Sequence, residues 1–159
     1  MNYGEWTSVE PNKEVTFGGA NSTLRLRGTN INGTASHFSK YSTITFTDKN
    51  VNVACTGDIR TLQDWRNYST VDTQNARFCY LFDGCSVLTS APELPATTLA
   101  DYCYYGMFNG CTSLTATPVL KATTLAKYCY SFMFYGCKKL STVTMLVPSD
   151  LILGKTSCC

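Results

Sequence analysis

The run Leu94-Pro95-Ala96-Thr97-Thr98-Leu99-Ala100-Asp101-Tyr102-Cys103-Tyr104-Tyr105-Gly106-Met107-Phe108-Asn109-Gly110-Cys111-Thr112-Ser113-Leu114-Thr115 returns, in large part letter for letter, 26 residues later. Ala96-Thr97-Thr98-Leu99-Ala100 becomes Ala122-Thr123-Thr124-Leu125-Ala126, and Tyr102-Cys103-Tyr104 becomes Tyr128-Cys129-Tyr130. Met107-Phe108, Gly110-Cys111 and Leu114 become Met133-Phe134, Gly136-Cys137 and Leu140. A fainter copy lies upstream, where Phe82, Gly84, Cys85 and Leu88 precede their counterparts by the same step. Self-similarity at a fixed period marks stacked supersecondary units, none of which can bury its apolar face alone.

Each unit reads as helix, turn, strand. Thr98-Leu99-Ala100-Asp101 has the form of a capping box, and Lys127 replaces the acid in the next copy. Leu99, Cys103 and Met107 then share one helical face, as do Leu125, Cys129 and Met133. Gly110 and Gly136 stand where a helix would end in a left-handed residue. Leu114–Thr117 and Leu140–Val143 follow as short strands, with Pro92 and Pro118 as punctuation. The expectation is an α+β fold: a short leucine-rich-repeat solenoid of 26-residue helix-turn-strand units.

The string from Leu94 to Thr115 resembles the repeat of BspA-like leucine-rich-repeat surface proteins of gut and oral bacteria. The resemblance covers about residues 75–147, and more loosely Tyr41–Phe46 and Gly57–Leu62. It implies secretion or surface anchoring, and a part in adhesion and host contact. It brings no catalytic residue with it.

Residues 1–70 show no repeat. Val15–Phe17, Thr23–Arg27, Thr43–Thr47 and Val51–Cys55 read as strands, separated by Gly18-Gly19, Gly28, Asn32-Gly33 and Asp48-Lys49-Asn50. They suggest an N-terminal antiparallel β region capping the first unit, with a short helix at Ile59–Trp65. The domain reading is therefore a β-rich cap over 1–70, repeats over 71–147, and a C-terminal tail or partial repeat over 148–159. Leu151 falls 26 after Leu125, as though another unit began. The tail either folds back over the last unit or leaves an apolar edge open to self-association.

Composition narrows the partner. Charged residues are only 15% of the 159, and the formal charge is +2, without the dense basic stripe of a nucleic-acid binder. Arg25/Arg27 and Lys138/Lys139 read as solvated surface. No run is long and apolar enough to span a bilayer, and Met1–Trp6 has neither the basic nor the apolar part of a signal peptide.

The cysteines number nine, and their spacing follows the repeat. Cys85, Cys111 and Cys137 hold one place in successive units, and Cys103 and Cys129 another. Such a ladder suits buried thiols packing as small hydrophobes, while disulfides or a thiolate zinc site are the alternatives. No CxxC pair supports metal, and no cofactor or metal is expected. Tyr104, Tyr105 and Tyr130 lie off the Leu-Cys-Met stripe and are candidate binding residues. The competing reading stacks Phe78, Tyr104 and Tyr130 as an inter-repeat aromatic ladder. Thr89, Thr115 and Ser141 would line the strand wall, where solenoids commonly bind.

The function expected is a non-enzymatic binding or adhesion module at a bacterial surface or outside the cell, with a protein or glycan ligand. A structural or receptor-binding component of a phage particle, hence virion-associated, is the alternative. A thiol-dependent enzyme ranks last: it would rest on His37, the single histidine, meeting Cys55.

Overall fold

The computed structural model describes residues 5–10, 12–17 and 22–146. The turn at Gly18-Gly19, the 148–159 tail and Cys158-Cys159 lie outside them. The solenoid of helix-turn-strand units does not form. Among the described residues the helical element is one four-residue 3-10 turn, Ile59–Leu62. Strands are equally short: β1 (Ala35–His37), β2 (Lys40–Tyr41), β3 (Val53–Ala54) and β4 (Leu88–Ser90). β1 and β2 pair antiparallel, and β3 runs parallel to β4. The antiparallel N-terminal region thus shrinks to one small hairpin, and Val15–Phe17 and Thr23–Arg27 form no strand.

What replaces the helix is a chain of overlapping turns. The N–H groups of Cys103, Tyr105, Met107, Asn109 and Cys111 each donate to the carbonyl three residues back. The N–H groups between them, on Tyr102, Tyr104, Gly106, Phe108 and Gly110, leave the segment altogether. They donate to the carbonyls of Lys127, Cys129, Ser131, Met133 and Tyr135 at 2.8–3.0 Å. Phe78, Tyr80, Phe82 and Gly84 donate in the same way to Cys103, Tyr105, Met107 and Asn109. Every second donor closes a turn, and the others tie one layer to the next. That satisfies the backbone without either a helix or a long sheet.

The turns take four residues each. Left-handed backbone recurs at Tyr102, Gly106 and Gly110, and again at Tyr128, Phe132 and Gly136, with φ between 55° and 74°. Side chains therefore alternate two in and two out: Cys103-Tyr104 and Met107-Phe108 are buried, while Tyr105 and Asn109 between them are not. Here the helical reading failed. Leu99, Cys103 and Met107 fit a helix, yet Cys111 is buried on the same side. An α-helix turns about 100° per residue, so each four-residue step drifts by roughly 40° and Cys111 would leave the face. A period of four keeps it there.

Gly110 and Gly136 do have positive φ, but as turn corners rather than helix ends. Gly106 answers a closer demand: a Cβ there would meet Tyr80 Cε1 at 2.4 Å. Asp101 belongs to no capping box of its own layer. Its carboxylate accepts the Lys127 N–H, at 3.0 Å, from the layer above.

The layers, 76–101, 102–127 and 128–146, enclose ladders of like side chains. Phe82, Phe108 and Phe134 stack nearly parallel, with centroids 5.6 and 5.7 Å apart. Residues 28–62 add an irregular layer beneath the first. Thr34 and Ala35 donate to the Arg77 carbonyl, Ile44 to Leu81, and Val53 to Val87.

Candidate functional site

Two rows of aromatic side chains run up the stack, one inside and one outside. The inner row is Phe78, Tyr104 and Tyr130, with centroids 6.1 and 5.9 Å apart and planes within 18°. Tyr104 is 1% exposed and Tyr130 7%, so both sit inside the layers rather than on a surface. Burial holds the Tyr104 phenol well above the usual range.

Tyr105, the third candidate tyrosine, points the other way and joins an outer wall. Phe38, from the β1–β2 hairpin, stacks on Tyr102 at 4.8 Å, and Tyr102 meets Tyr128 at 5.1 Å. Beside this line runs another: Tyr41 against Tyr80 at 4.7 Å, Tyr80 against Tyr105 at 5.4 Å, and Tyr105 against Phe132 at 5.6 Å. Phe132 meets Tyr135 at 6.1 Å, and Tyr102 and Tyr105 join the two lines at 5.6 Å. The wall follows from the turn geometry. Tyr80, Tyr102, Tyr128 and Phe132 occupy left-handed corners, outside the buried pairs. Bulky residues seldom adopt positive φ, which costs on the order of 1–3 kcal/mol each. The fold carries that cost at four aromatic positions of one face.

The wall is open to solvent at both ends. Phe38 and Tyr41 are exposed on the hairpin, and Phe132 is 57% and Tyr135 69% exposed at the far end. Between them Tyr80, Tyr102, Tyr105 and Tyr128 are half-buried, each ring held by neighbours. Burial and the neighbouring Tyr105 phenol push the Tyr80 phenol up to about 12, so it stays protonated. The Lys127 ammonium lies 5.1 Å from the Tyr128 ring. Apart from Tyr105, the sequence reading passed over these residues. The signal was available in the two-in, two-out rhythm, which separates Tyr104 from Tyr105.

Of Thr89, Thr115 and Ser141, the first two are linked across layers. The Thr115 hydroxyl donates to the Thr89 carbonyl and the Thr89 hydroxyl to Val53, so both serve the stacking of layers. Ser141 is exposed.

The thiols behave as rungs. Cys111 donates to the Phe82 carbonyl and Cys137 to Phe108, both at 3.1 Å, and Cys85 donates to Ile44 at 2.8 Å. Cys103 and Cys129 are buried, and none of these five is disulfide-bonded. Burial raises the thiols of Cys103, Cys111 and Cys137, and pushes Cys79 and Cys85 up to about 11. Among the described residues, no group of three or more His, Cys, Asp or Glu is placed to share a metal ion. His37 turns to the Ser39 hydroxyl at 2.8 Å and lies against Phe38. Cys55 is itself raised by burial, opposite to the shift an activated nucleophile needs.

Arg25 and Arg27 are not simple solvated surface. The Arg27 guanidinium sits 3.8 Å from the Trp6 ring centroid and 3.9 Å from that of Trp65, with Arg25 over Trp6 and Arg66 over Trp65. No protein-family model matches the chain, and no curated protein or solved structure matches it either.

Proposed function

We propose that the chain is a non-enzymatic binding module whose docking face is the outer aromatic wall. The observation that carries this reading is the continuity of rings from Phe38 and Tyr41 to Phe132 and Tyr135 across every layer. Tyrosine offers large amphipathic contact area at low entropic cost. Rings already fixed by their neighbours lose still less freedom on binding. The hydroxyls of Tyr41, Tyr105 and Tyr135 would supply directional hydrogen bonds to a protein or glycan ligand. Adhesion at a bacterial surface or in a secreted protein, as the resemblance to BspA-like proteins implies, belongs to the same proposal.

Screening the purified chain against glycan and host-protein arrays tests the reading. Tyr41→Ser and Tyr135→Ser should each weaken any specific binding by about tenfold or more, the range of an interface hot spot, with the melting temperature held. Thr115→Val should leave binding unchanged. Binding that survives both tyrosine substitutions would move the site off the wall.

A further inference from the structure

Both tryptophans of the chain meet Arg25, Arg27 and Arg66 at one place, which shares no residue with the outer aromatic wall. Arg25 and Arg27, two apart in sequence, reach the same Trp6 ring, at 5.8 and 3.8 Å from its centroid. The Arg27 guanidinium is also 3.9 Å from the Trp65 centroid, and Arg66 stands over Trp65 at 4.5 Å. Backbone pairing brings the two segments together. Gly28 donates to the Thr61 carbonyl and accepts the Trp65 N–H, and it approaches the Leu62 carbonyl so closely that a Cβ would not fit.

Stacking on a ring occupies the flat face of a guanidinium and leaves its N–H donors around the edge. Two rings also fix the plane of Arg27, so its fork is oriented before any ligand arrives. Arg60 makes the contrast: its donors go to the Asp58 carboxylate, at 2.7 Å, and to the Ser69 carbonyl. Asp64, next to Trp65 in the chain, has its carboxylate taken up by the turn. It accepts from the N–H groups of Arg66 and Asn67 and from the Asn67 side chain. Arg25 and Arg66 are exposed, and Arg27 is half-buried. Like charges held this close repel, and a bound anion relieves the repulsion.

We propose that this arginine–tryptophan ladder is a second binding site, one that takes the sulfate groups of an acidic glycan. A sulfate offers the guanidinium fork paired oxygens, as carboxylate and phosphate do. Neighbouring sulfates along a sugar chain can then engage separate arginines. Because guanidiniums cover the faces of Trp6 and Trp65, sugar rings do not stack there, and the anionic substituents carry recognition. The same covering disfavours an anionic bilayer, where an indole anchors by seating its ring among the headgroups, although Leu24 and Leu26 are exposed alongside. Nucleic acid draws on a longer run of cations than this ladder provides.

Titration calorimetry of the full chain with a highly sulfated uronate–glucosamine hexasaccharide tests the proposal. Binding should weaken as salt rises, and the desulfated hexasaccharide should not bind. Trp6 and Trp65 are the chain's two indoles, so intrinsic emission should shift on titration and locate the ligand without a variant. Arg25→Gln with Arg66→Gln should weaken binding by about tenfold or more, whereas Lys138→Gln with Lys139→Gln, the same loss of charge elsewhere, should leave it within about twofold. Arg25→Lys with Arg66→Lys keeps the charge, loses the fork and should fall between. Tyr41→Ser and Tyr135→Ser should bind the hexasaccharide as the parent chain does, which separates this site from the wall. No binding at low salt, equal loss from the lysine pair, unmoved tryptophan emission, or tighter binding to phosphatidylserine vesicles or a DNA duplex would each overturn the assignment.

Discussion

Residues 28–62 and the layers above them solve one structural problem by different means. Each repeat-bearing layer presents the next with the same groups in the same order: a Phe ring, a thiol, alternate amides. Residues 28–62 meet layer 76–101 without any of that repetition. Ile44 gives its carbonyl to Cys85 just as Phe82 gives its own to Cys111, and Thr43 reaches the Tyr80 carbonyl through a hydroxyl. The ladder of backbone groups therefore continues where the ladder of side chains stops. What differs is depth. Phe82 and Phe108 are buried between neighbours, whereas Ile44 and Phe46 are only half covered. Repetition buys two-sided burial, and an end layer has only one side to offer.

The sharpest test of that contrast is to truncate a ring in each region. Phe108→Ala removes the middle ring of a three-ring stack from a site with no solvent exposure. It should cost roughly 3–5 kcal/mol, a large share of a small domain's stability. Phe46→Ala, at the half-covered layer, should cost about a third of that. Equal losses in urea unfolding would mean that the end layer is packed as fully as the middle, and the contrast would fall.

The contrast also explains what could be read from the letters. The 26-residue step was visible because stacked layers need identical partners at Phe108 and Phe134 or Cys111 and Cys137. The thiol positions were legible for the same reason. The local path was not. A period of four and a period of 3.6 agree over Leu99, Cys103 and Met107 and separate only at Cys111, so the segment resembled a helix. Aromatic residues in left-handed corners go against intrinsic preference, and layer contacts outweigh it. Of the antiparallel region expected over residues 1–70 only the β1–β2 hairpin forms, because the other backbone partners of residues 28–62 are carbonyls of another layer, which no local alternation reports.

Alkaline pH should discriminate between layers through their thiols. An unfolded thiol ionises near its ordinary value of 9.0, while burial moves Cys79 and Cys85 to about 11 and raises Cys103 and Cys111 as well. Below pH 9 both states keep the proton and the thiols add no pH dependence. Between pH 9 and 11 the unfolded state loses protons that the folded state retains, so stability must fall as pH rises. The slope is roughly 1.4 kcal/mol per pH unit for each thiol that ionises only on unfolding. Cys111→Ala should begin less stable yet fall less steeply over this window. A stability curve flat from pH 8 to 11 would show that the thiols reach water.

The smallest effect should come from the N-terminal segment, which lies outside the layered core. Trp6, Val9, Val15, Phe17, Leu24 and Leu26 are all exposed, so little apolar burial holds residues 5–27. Its firmest attachments are Gly28, whose N–H and carbonyl pair with Thr61 and Trp65, and the Arg27 guanidinium between Trp6 and Trp65. A cation over an aromatic face contributes about 0.5–1 kcal/mol at an exposed site and somewhat more when desolvated. Arg27→Ala should thus leave the global unfolding midpoint within error, since the layers above do not depend on this stack. It should instead release the segment, seen as faster proteolysis before Gly28 and a loss of the Trp6 fluorescence environment. Arg27→Lys keeps the charge but not the flat face that fits between two rings, and should restore only part of the protection. If Arg27→Ala lowers the global midpoint as far as Phe46→Ala does, the segment is part of the core. The boundary between attached and layered chain would then move to the N-terminal side of Trp6.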